Sequence, residues 1–454
     1  MQGAAIGKQA VVSFSSIASK VGARILKNGG NAIDAAVATS LVLGVVEPGW
    51  SGIGGGGFIL VYLNTGERIV IDYRETAPIK IDPSYYTDEE RASIGYRAIG
   101  VPGTIAGLFY LHENYGKIKL KDIIQHAIEY ASKGARVSEL WEHSMRDNLD
   151  KALEKINKYP YSSKVFLRNG TYYRVSEIFI QKDLAKTLEI LAEEGAEAFY
   201  EGYIAELIEK DMMENNGFIT GKDLREYEVK IRRPIEVEYD EDIHIITMPP
   251  PGSGACLIEA LNILDILLET KSALDYQQML IESLVYTMND RARYICDPDF
   301  HEVPVSKLID RKYAEDIVHS ILSGTKISRK NDDEKGTAHI SVIDREGNAV
   351  SLTETLECFM GSGVTIENTG ILMNDEIHDF TFDKSSVNYI QPGKRPRSSM
   401  SPTIVLKNGE LFLILGASGG TRILTSLVQV LFYRLKLGFD LVRAIHYPRI
   451  HVLD

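Results

Sequence analysis

Gly336-Thr337-Ala338-His339 runs directly into the alternating stretch Ile340-Ser341-Val342-Ile343-Asp344. Apolar residues at every second position predict a half-buried strand, with Thr337 at its mouth and a glycine just before it. The preceding Asn331-Asp332-Asp333-Glu334-Lys335 reads as an exposed polar linker. If the chain is cut between Gly336 and Thr337, Thr337 gains a free α-amino group. One residue then holds both a hydroxyl nucleophile and its base, a known way to activate a weak nucleophile. Uncut, it is an ordinary strand-opening threonine, so other segments must decide.

Working outward, Thr337 to Ile343 and 349–355 alternate around Glu346-Gly347-Asn348. Residues 403–406 and 411–415 flank Asn408-Gly409, a strong hairpin signal. Residues 421–437 read as an apolar-faced helix. Upstream, 15–27 reads as a helix stopped by Gly29, and 32–46 as a helix apolar all round and therefore buried. Residues 58–63 and 68–73 form a hairpin around Asn64-Thr65-Gly66. The pattern from Thr104 to Tyr227 is mostly helical, with a polar hairpin at Arg168-Asn169-Gly170. Strands follow over 231–247 and two helices over 253–293. Strands between helical blocks predict a layered α/β architecture.

The chain has 454 residues, with 63 Asp+Glu against 50 Lys+Arg. That balance argues against nucleic acid and anionic membranes, which select basic surfaces. No apolar run is long enough to span a bilayer. Cys256, Cys296 and Cys358 have no metal-ligand spacing and suit a reducing compartment. Met1 to Lys8 lacks the features of a secretory leader. The expectation is therefore a cytoplasmic protein.

Two glycine-rich runs invite other functions. Gly52-Ile53-Gly54-Gly55-Gly56-Gly57 satisfies G-x-G-x-x-G, but a helix precedes it and a strand follows. A dinucleotide cradle needs the reverse order. These glycines instead let backbones pass closely near the core. Gly416-Ala417-Ser418-Gly419-Gly420 fits the G-x-S-x-G elbow between a strand and a helix, with Asp440 and His446 in triad order. Too little chain follows for the rest of a serine-hydrolase sheet. Paired backbone N–H groups at such a turn suit a developing negative charge.

With Thr337, three segments carry a wider resemblance: Asp72-Tyr73-Arg74-Glu75-Thr76-Ala77-Pro78, Arg395-Pro396-Arg397-Ser398-Ser399-Met400-Ser401-Pro402-Thr403, and Gly416-Ala417-Ser418-Gly419-Gly420-Thr421-Arg422. Gly29 to Ala36, Gly52 to Phe58, Gly100 to Thr104, Pro249 to Gly254 and Asp297 to Phe300 extend it over nearly the whole chain. The sequence resembles the γ-glutamyltransferase family of N-terminal-nucleophile hydrolases. The resemblance implies an α+β fold, a four-layer αββα sandwich with additional helices. It implies autocatalytic cleavage into 1–336 and 337–454, both parts contributing to one domain and remaining together as a heterodimer. No cofactor and no metal is implied.

The resemblance also implies the site. Thr337 is the nucleophile, Thr355 orients it, and Gly419 and Gly420 form the oxyanion hole. Arg74 binds the substrate α-carboxylate through a guanidinium fork, assisted by Ser398 and Ser399. Glu357, Glu376 and Asp379 hold the α-ammonium. The implied substrate is a γ-glutamyl amide such as glutathione, with water or an amino acid or peptide as acceptor. Three positions depart from the family pattern: Ala338 replaces a common second threonine, His378 a common acidic residue, and the segment from Phe380 to Gly393 is short. A related acylase for glutaryl or cephalosporin-type amides and an unprocessed, inactive family member are the competing readings.

Overall fold

The computed structural model describes residues 7–271, 273–325 and 336–452. The linker reading of 331–335 lies outside these residues. Two antiparallel sheets form the centre. The larger has the strand order Ala10–Val12, Ala338–Ile343, Ala349–Thr355, Gly56–Tyr62, Arg68–Asp72, Lys230–Arg232. The smaller runs Glu410–Leu415, Thr403–Lys407, Ile243–Thr247, Ile235–Asp240. Both strands that follow Thr337 lie inside the larger sheet, with N-terminal strands on either side. The segments before and after Gly336 are therefore one sheet, and breaking that bond leaves every ladder intact.

Alternation distributes the side chains between layers. Ile59, Val61, Ile69, Ile71, Ala338, Ile340, Val342, Val350 and Leu352 face one apolar core, shared with helices Ser16–Lys27, Ala32–Val46 and Leu120–Lys133. Phe58, Leu60, Val70 and Ala349 point the other way, into a core shared with the smaller sheet and helices Gly254–Glu269 and Arg422–Leu435. The result is the expected αββα sandwich. The Ala32–Val46 helix is buried almost throughout and carries an Asn31/Asp34 capping box. Asp344, beyond the end of the Thr337 strand, accepts a hydrogen bond from Ala32 N–H at 3.0 Å. It places a carboxylate at the helix N-terminus, where the dipole favours it.

The glycine run 52–57 serves close packing. A Cβ at Gly55 would collide with the Thr355 carbonyl, and one at Gly57 with the Thr353 carbonyl. The strand pair that carries the site is thus seated directly on glycine backbone. Elements that the sequence pattern did not reveal are the short edge strand Ala10–Val12 and the helix Arg311–Leu322. Three residues carry too little periodicity to read, and the helix packs as a satellite on Gly254–Glu269.

Candidate active site

Thr337 is buried and sits one residue before the Ala338–Ile343 strand. Its hydroxyl donates to the carbonyl oxygen of Gly336, so this hydroxyl already touches the carbonyl that a cleavage at Gly336–Thr337 would attack. A Cβ at Gly336 would overlap the Glu357 carbonyl, and its φ of +116° lies where L side chains are strained. The register pairs Ala338 with Glu354, which sets Thr337 opposite Thr355. Thr355 Oγ1 accepts the Glu357 N–H at 2.8 Å, leaving its own proton available for donation.

Thr337 belongs to the strand face that looks toward the smaller sheet. The neighbours on that face are polar but neutral. His339 Nδ1 pairs with Thr353 Oγ1 and its Nε2 with Ser341 Oγ, each at 2.9 Å. Ser341 and Ser351 donate to the carbonyls of Ile414 and Leu415, at 3.3 and 3.0 Å. Desolvation pushes the His339 imidazole down to about 3, so it stays uncharged. The two serine bonds tie the end of the Glu410–Leu415 strand to the strands that follow Thr337. Gly416 lies so close to the His339 ring that a Cβ would clash with it.

The smaller sheet therefore delivers the next turn, Gly416 to Thr421, to the same end of the sandwich. Gly419 and Gly420 have φ of +111° and +60°, a conformation that glycine adopts without steric cost. Their carbonyls accept the Arg422 and Ile423 N–H groups and start the Arg422–Leu435 helix. Ser418, the elbow alternative, is exposed. Asp440 caps the Leu441–His446 helix through Arg443 N–H, and His446 Nδ1 bonds the Val442 carbonyl. Each proposed triad partner is engaged within its own helix.

Arg74, Glu75, Glu357, Glu376 and Asp379 form one buried charged cluster. The Arg74 guanidinium pairs with Glu376 and Asp379 and lies 3.7 Å from Glu75. The sequence reading placed Arg74 at one end of a zwitterion and Glu376 and Asp379, with Glu357, at the other; the direct contacts of Arg74 are with Glu376 and Asp379. Nη2 carries the Glu376 and Asp379 contacts and reaches the Arg397 carbonyl at 3.4 Å, whereas Nη1 faces Glu75. Arg74 Nε and Nη1 and the buried Ser399 hydroxyl have no hydrogen-bond partner among the described residues. Ser398 is held in place by its N–H to the Pro251 carbonyl, and its Oγ accepts the Met400 N–H. Buried polar atoms normally find partners, so this set is shaped for an incoming group.

Burial raises Glu75 to about 7 and pushes Glu376 up as well, with Arg74 opposing both shifts. Burial disfavours the His378 cation, but the Glu357 carboxylate 3.5 Å away and the charges of Asp375 and Asp379 outweigh it and lift His378 to about 9. Glu357 adopts φ +74°, a strained conformation that aims its carboxylate inward. Lys155 locks the loop from behind, bonding Asp375 at 2.9 Å, while Asp375 accepts the Cys358 N–H. Sequence reasoning overlooked Glu75, His339 and the Lys155–Asp375 pair. A charged residue inside a tight motif beside Arg74 was the available signal for Glu75. Nothing in the sequence links residues 155 and 375.

The Gamma-glutamyltranspeptidase family model matches residues 18–453. The chain is 35% identical to the "Glutathione hydrolase proenzyme" of Pseudomonas sp. (strain A14), over 97% of this chain and 81% of that protein. It is also 35% identical to the Escherichia coli (strain K12) protein of the same name, over 97% and 80%. Among solved structures, a cephalosporin acylase from Bacillus halodurans superposes with a TM-score of 0.85 at 26% identity, covering 97% of this chain and 83% of that one. The Helicobacter pylori gamma-glutamyltranspeptidase gives 0.65 at 39% identity, over 71% and 93%. A threonine at a sheet mouth, a glycine turn beside it and a buried arginine–carboxylate cage thus occur in a chain that belongs to the gamma-glutamyltranspeptidase family of N-terminal-nucleophile hydrolases.

Proposed function

We propose that this enzyme cleaves the γ-amide of glutathione-like γ-glutamyl compounds through an acyl-enzyme on Thr337, after cutting its own chain at Gly336–Thr337. The observation that carries the reading is the cage. A buried guanidinium stands among Glu75, Glu376 and Asp379 with N–H capacity to spare at Nε, and the buried Ser399 hydroxyl lacks a hydrogen-bond partner among the described residues. An α-amino acid head group has a carboxylate for the guanidinium and an ammonium for the carboxyl groups.

Maturation begins when Thr337 Oγ adds to the Gly336 carbonyl carbon. The C–N bond breaks, the nitrogen takes the hydroxyl proton, and an ester links Gly336 to Thr337. Water releases the Gly336 carboxylate and restores the hydroxyl beside a new α-amine. Segments 1–336 and 337–454 stay together as a heterodimer, because their strands alternate in one sheet. In turnover, the α-amine takes the Thr337 hydroxyl proton as Oγ attacks the γ-carbonyl. The Gly419 and Gly420 N–H groups stabilise the oxyanion. The amine passes its proton to the leaving nitrogen, and water or an acceptor amine frees the acyl group.

Hydrolysis is expected to exceed transfer. The short 380–393 segment is tied down by Asn388, which donates to the Asp379 carbonyl and accepts the Arg397 N–H, and by Lys394 on the Val387 and Tyr389 carbonyls. A segment held this way leaves the acyl group open to water. With glycylglycine as acceptor, free glutamate should exceed γ-glutamyl-glycylglycine. We also propose a reducing compartment, supported by the free thiols of Cys256, Cys296 and Cys358.

The superposition on a cephalosporin acylase favours one alternative, an acylase for glutaryl amides. Such substrates lack an α-ammonium and have no use for Glu357, Glu376 and Asp379. A chromogenic γ-glutamyl anilide assayed beside its glutaryl analogue decides. Preference for the γ-glutamyl compound is expected, and preference for the glutaryl compound overturns the reading.

A further inference from the structure

The loop after the Ala349–Thr355 strand and the turn Glu376–Asp379 meet at a mixed set of ligand atoms. Glu357 offers a carboxylate oxygen, Cys358 a thiol and His378 a ring nitrogen, all within 4.8 Å of one another. We propose that Glu357, Cys358 and His378 bind a zinc-type transition-metal ion, and that the ion inhibits the enzyme by occupying the ammonium end of the substrate site. The inhibitory half rests on the function proposed above, whereas the binding half does not.

The geometry suits zinc. Bond lengths of about 2.0–2.3 Å in a tetrahedron separate ligand atoms by roughly 3.3–3.8 Å. His378 Nδ1 and Glu357 Oε1 are 3.5 Å apart, so small rotations of half-buried Cys358 and His378 close the set. One sulfur, one nitrogen and one oxygen select zinc-type ions over magnesium or calcium, which take oxygen. Three protein ligands also leave a fourth position open to solvent or substrate.

The surroundings favour a cation and hold its ligands. Glu75, Asp375, Glu376 and Asp379 stand around the three, against Arg74 and Lys155. The Cys358 backbone is anchored on Asp375, which Lys155 clamps in turn, an outer layer of the kind that orients metal ligands. Binding releases the thiol proton and the proton that His378 carries. The other grouping of ligand atoms among the described residues, Glu357, Glu376 and Asp379, is a poorer site because Arg74 already pairs with two of its members. Neither Cys358 nor His378 has a part in the proposed chemistry, so the set is a regulatory device and not a cofactor site.

The test uses the purified, processed enzyme with Zn2+ and Co2+. Titration calorimetry should show one Zn2+ per enzyme that Mg2+ does not displace. The Co2+ form should show a near-ultraviolet thiolate-to-metal band. Cys358→Ser should abolish that band, weaken Zn2+ binding more than about 10-fold, and keep turnover in chelator. In the parent, Zn2+ should raise KM for the γ-glutamyl anilide with kcat nearly unchanged, and Cys358→Ser should resist this effect. A thiolate band that persists in Cys358→Ser, or Zn2+ binding that is equally tight in it, overturns the site. Binding through Cys358 with no change in KM keeps the metal site and overturns the inhibition, together with the assignment of Glu357 to the ammonium.

Discussion

Around Thr337 the walls are hydroxyl groups and a neutral imidazole, whereas around Arg74 they are carboxyl groups, a guanidinium and a charged histidine. Both regions are buried at the same end of the sandwich, and each suits a different task. In the proposed reaction Thr337 depends on an amine that must be unprotonated to act as a base, and an α-amine titrates near pH 8. Carboxylates in contact with it would hold the proton on. His339, Ser341, Ser351 and Thr353 supply order through hydrogen bonds without adding charge. In the proposed function the cage receives a zwitterion and needs charges of both signs, which pair with each other in the buried interior. Substrate binding is then an exchange of ionic partners.

Changes at the nucleophile should act on chemistry, and changes in the cage on recognition. The largest effect belongs to Thr337→Ala. It should leave an uncut chain on a denaturing gel and lower turnover by roughly 10^4-fold or more, because one hydroxyl serves both acyl shifts. Thr337→Ser should retain part of each.

Arg74→Ala should reduce kcat/KM by about 2–5 kcal/mol, the range for truncating one member of a buried charge pair. It also strands Glu376 and Asp379 and should lower Tm. Arg74→Lys should recover stability better than activity, since an ammonium cannot reproduce the fork. A kcat/KM within twofold of the parent for Arg74→Ala would break the division between the two regions. Gly419→Ala should lower kcat by about 10- to 100-fold with little change in KM. A side chain at φ +111° is strained and shifts an N–H meant for the oxyanion.

The smallest effect is on stability. His339 is held neutral, with its pKa lowered from 6.5 to about 3. In that window the unfolded chain binds a proton that the native site refuses. Its contribution is therefore complete above pH 6.5 and is lost as pH falls. Between pH 6.5 and about 5 this loss is about 1–2 kcal/mol. Denaturant unfolding of His339→Gln should show a correspondingly shallower acid loss than the parent. Equal acid loss in both would mean that His339 is not kept neutral.

Much of this architecture was legible in advance. The hairpins at Asn64-Thr65-Gly66 and Asn408-Gly409 and the buried 32–46 helix follow from turn chemistry and periodicity, and the strands 338–343 and 349–355 from strict alternation. Candidate site residues could be named because motifs stand in a familiar order. Their mutual arrangement could not. That Arg74 would touch Glu376 and Asp379, across some 300 positions of sequence, depends on how two sheets and a strained loop close on each other. His339 looked like one more residue of a strand. Its importance comes from facing Thr353 across the ladder and Gly416 across the sheets, and neither is a local property.

The central claim is that Thr337, freed as an N-terminus, takes the acyl group. Mass spectrometry of the enzyme inactivated by an electrophilic γ-glutamyl analogue tests it most directly. Two species corresponding to 1–336 and 337–454 are expected, with the label on the second and, after digestion, on Thr337 itself. A label on Ser418, or full activity in a chain that remains uncut, would contradict the account.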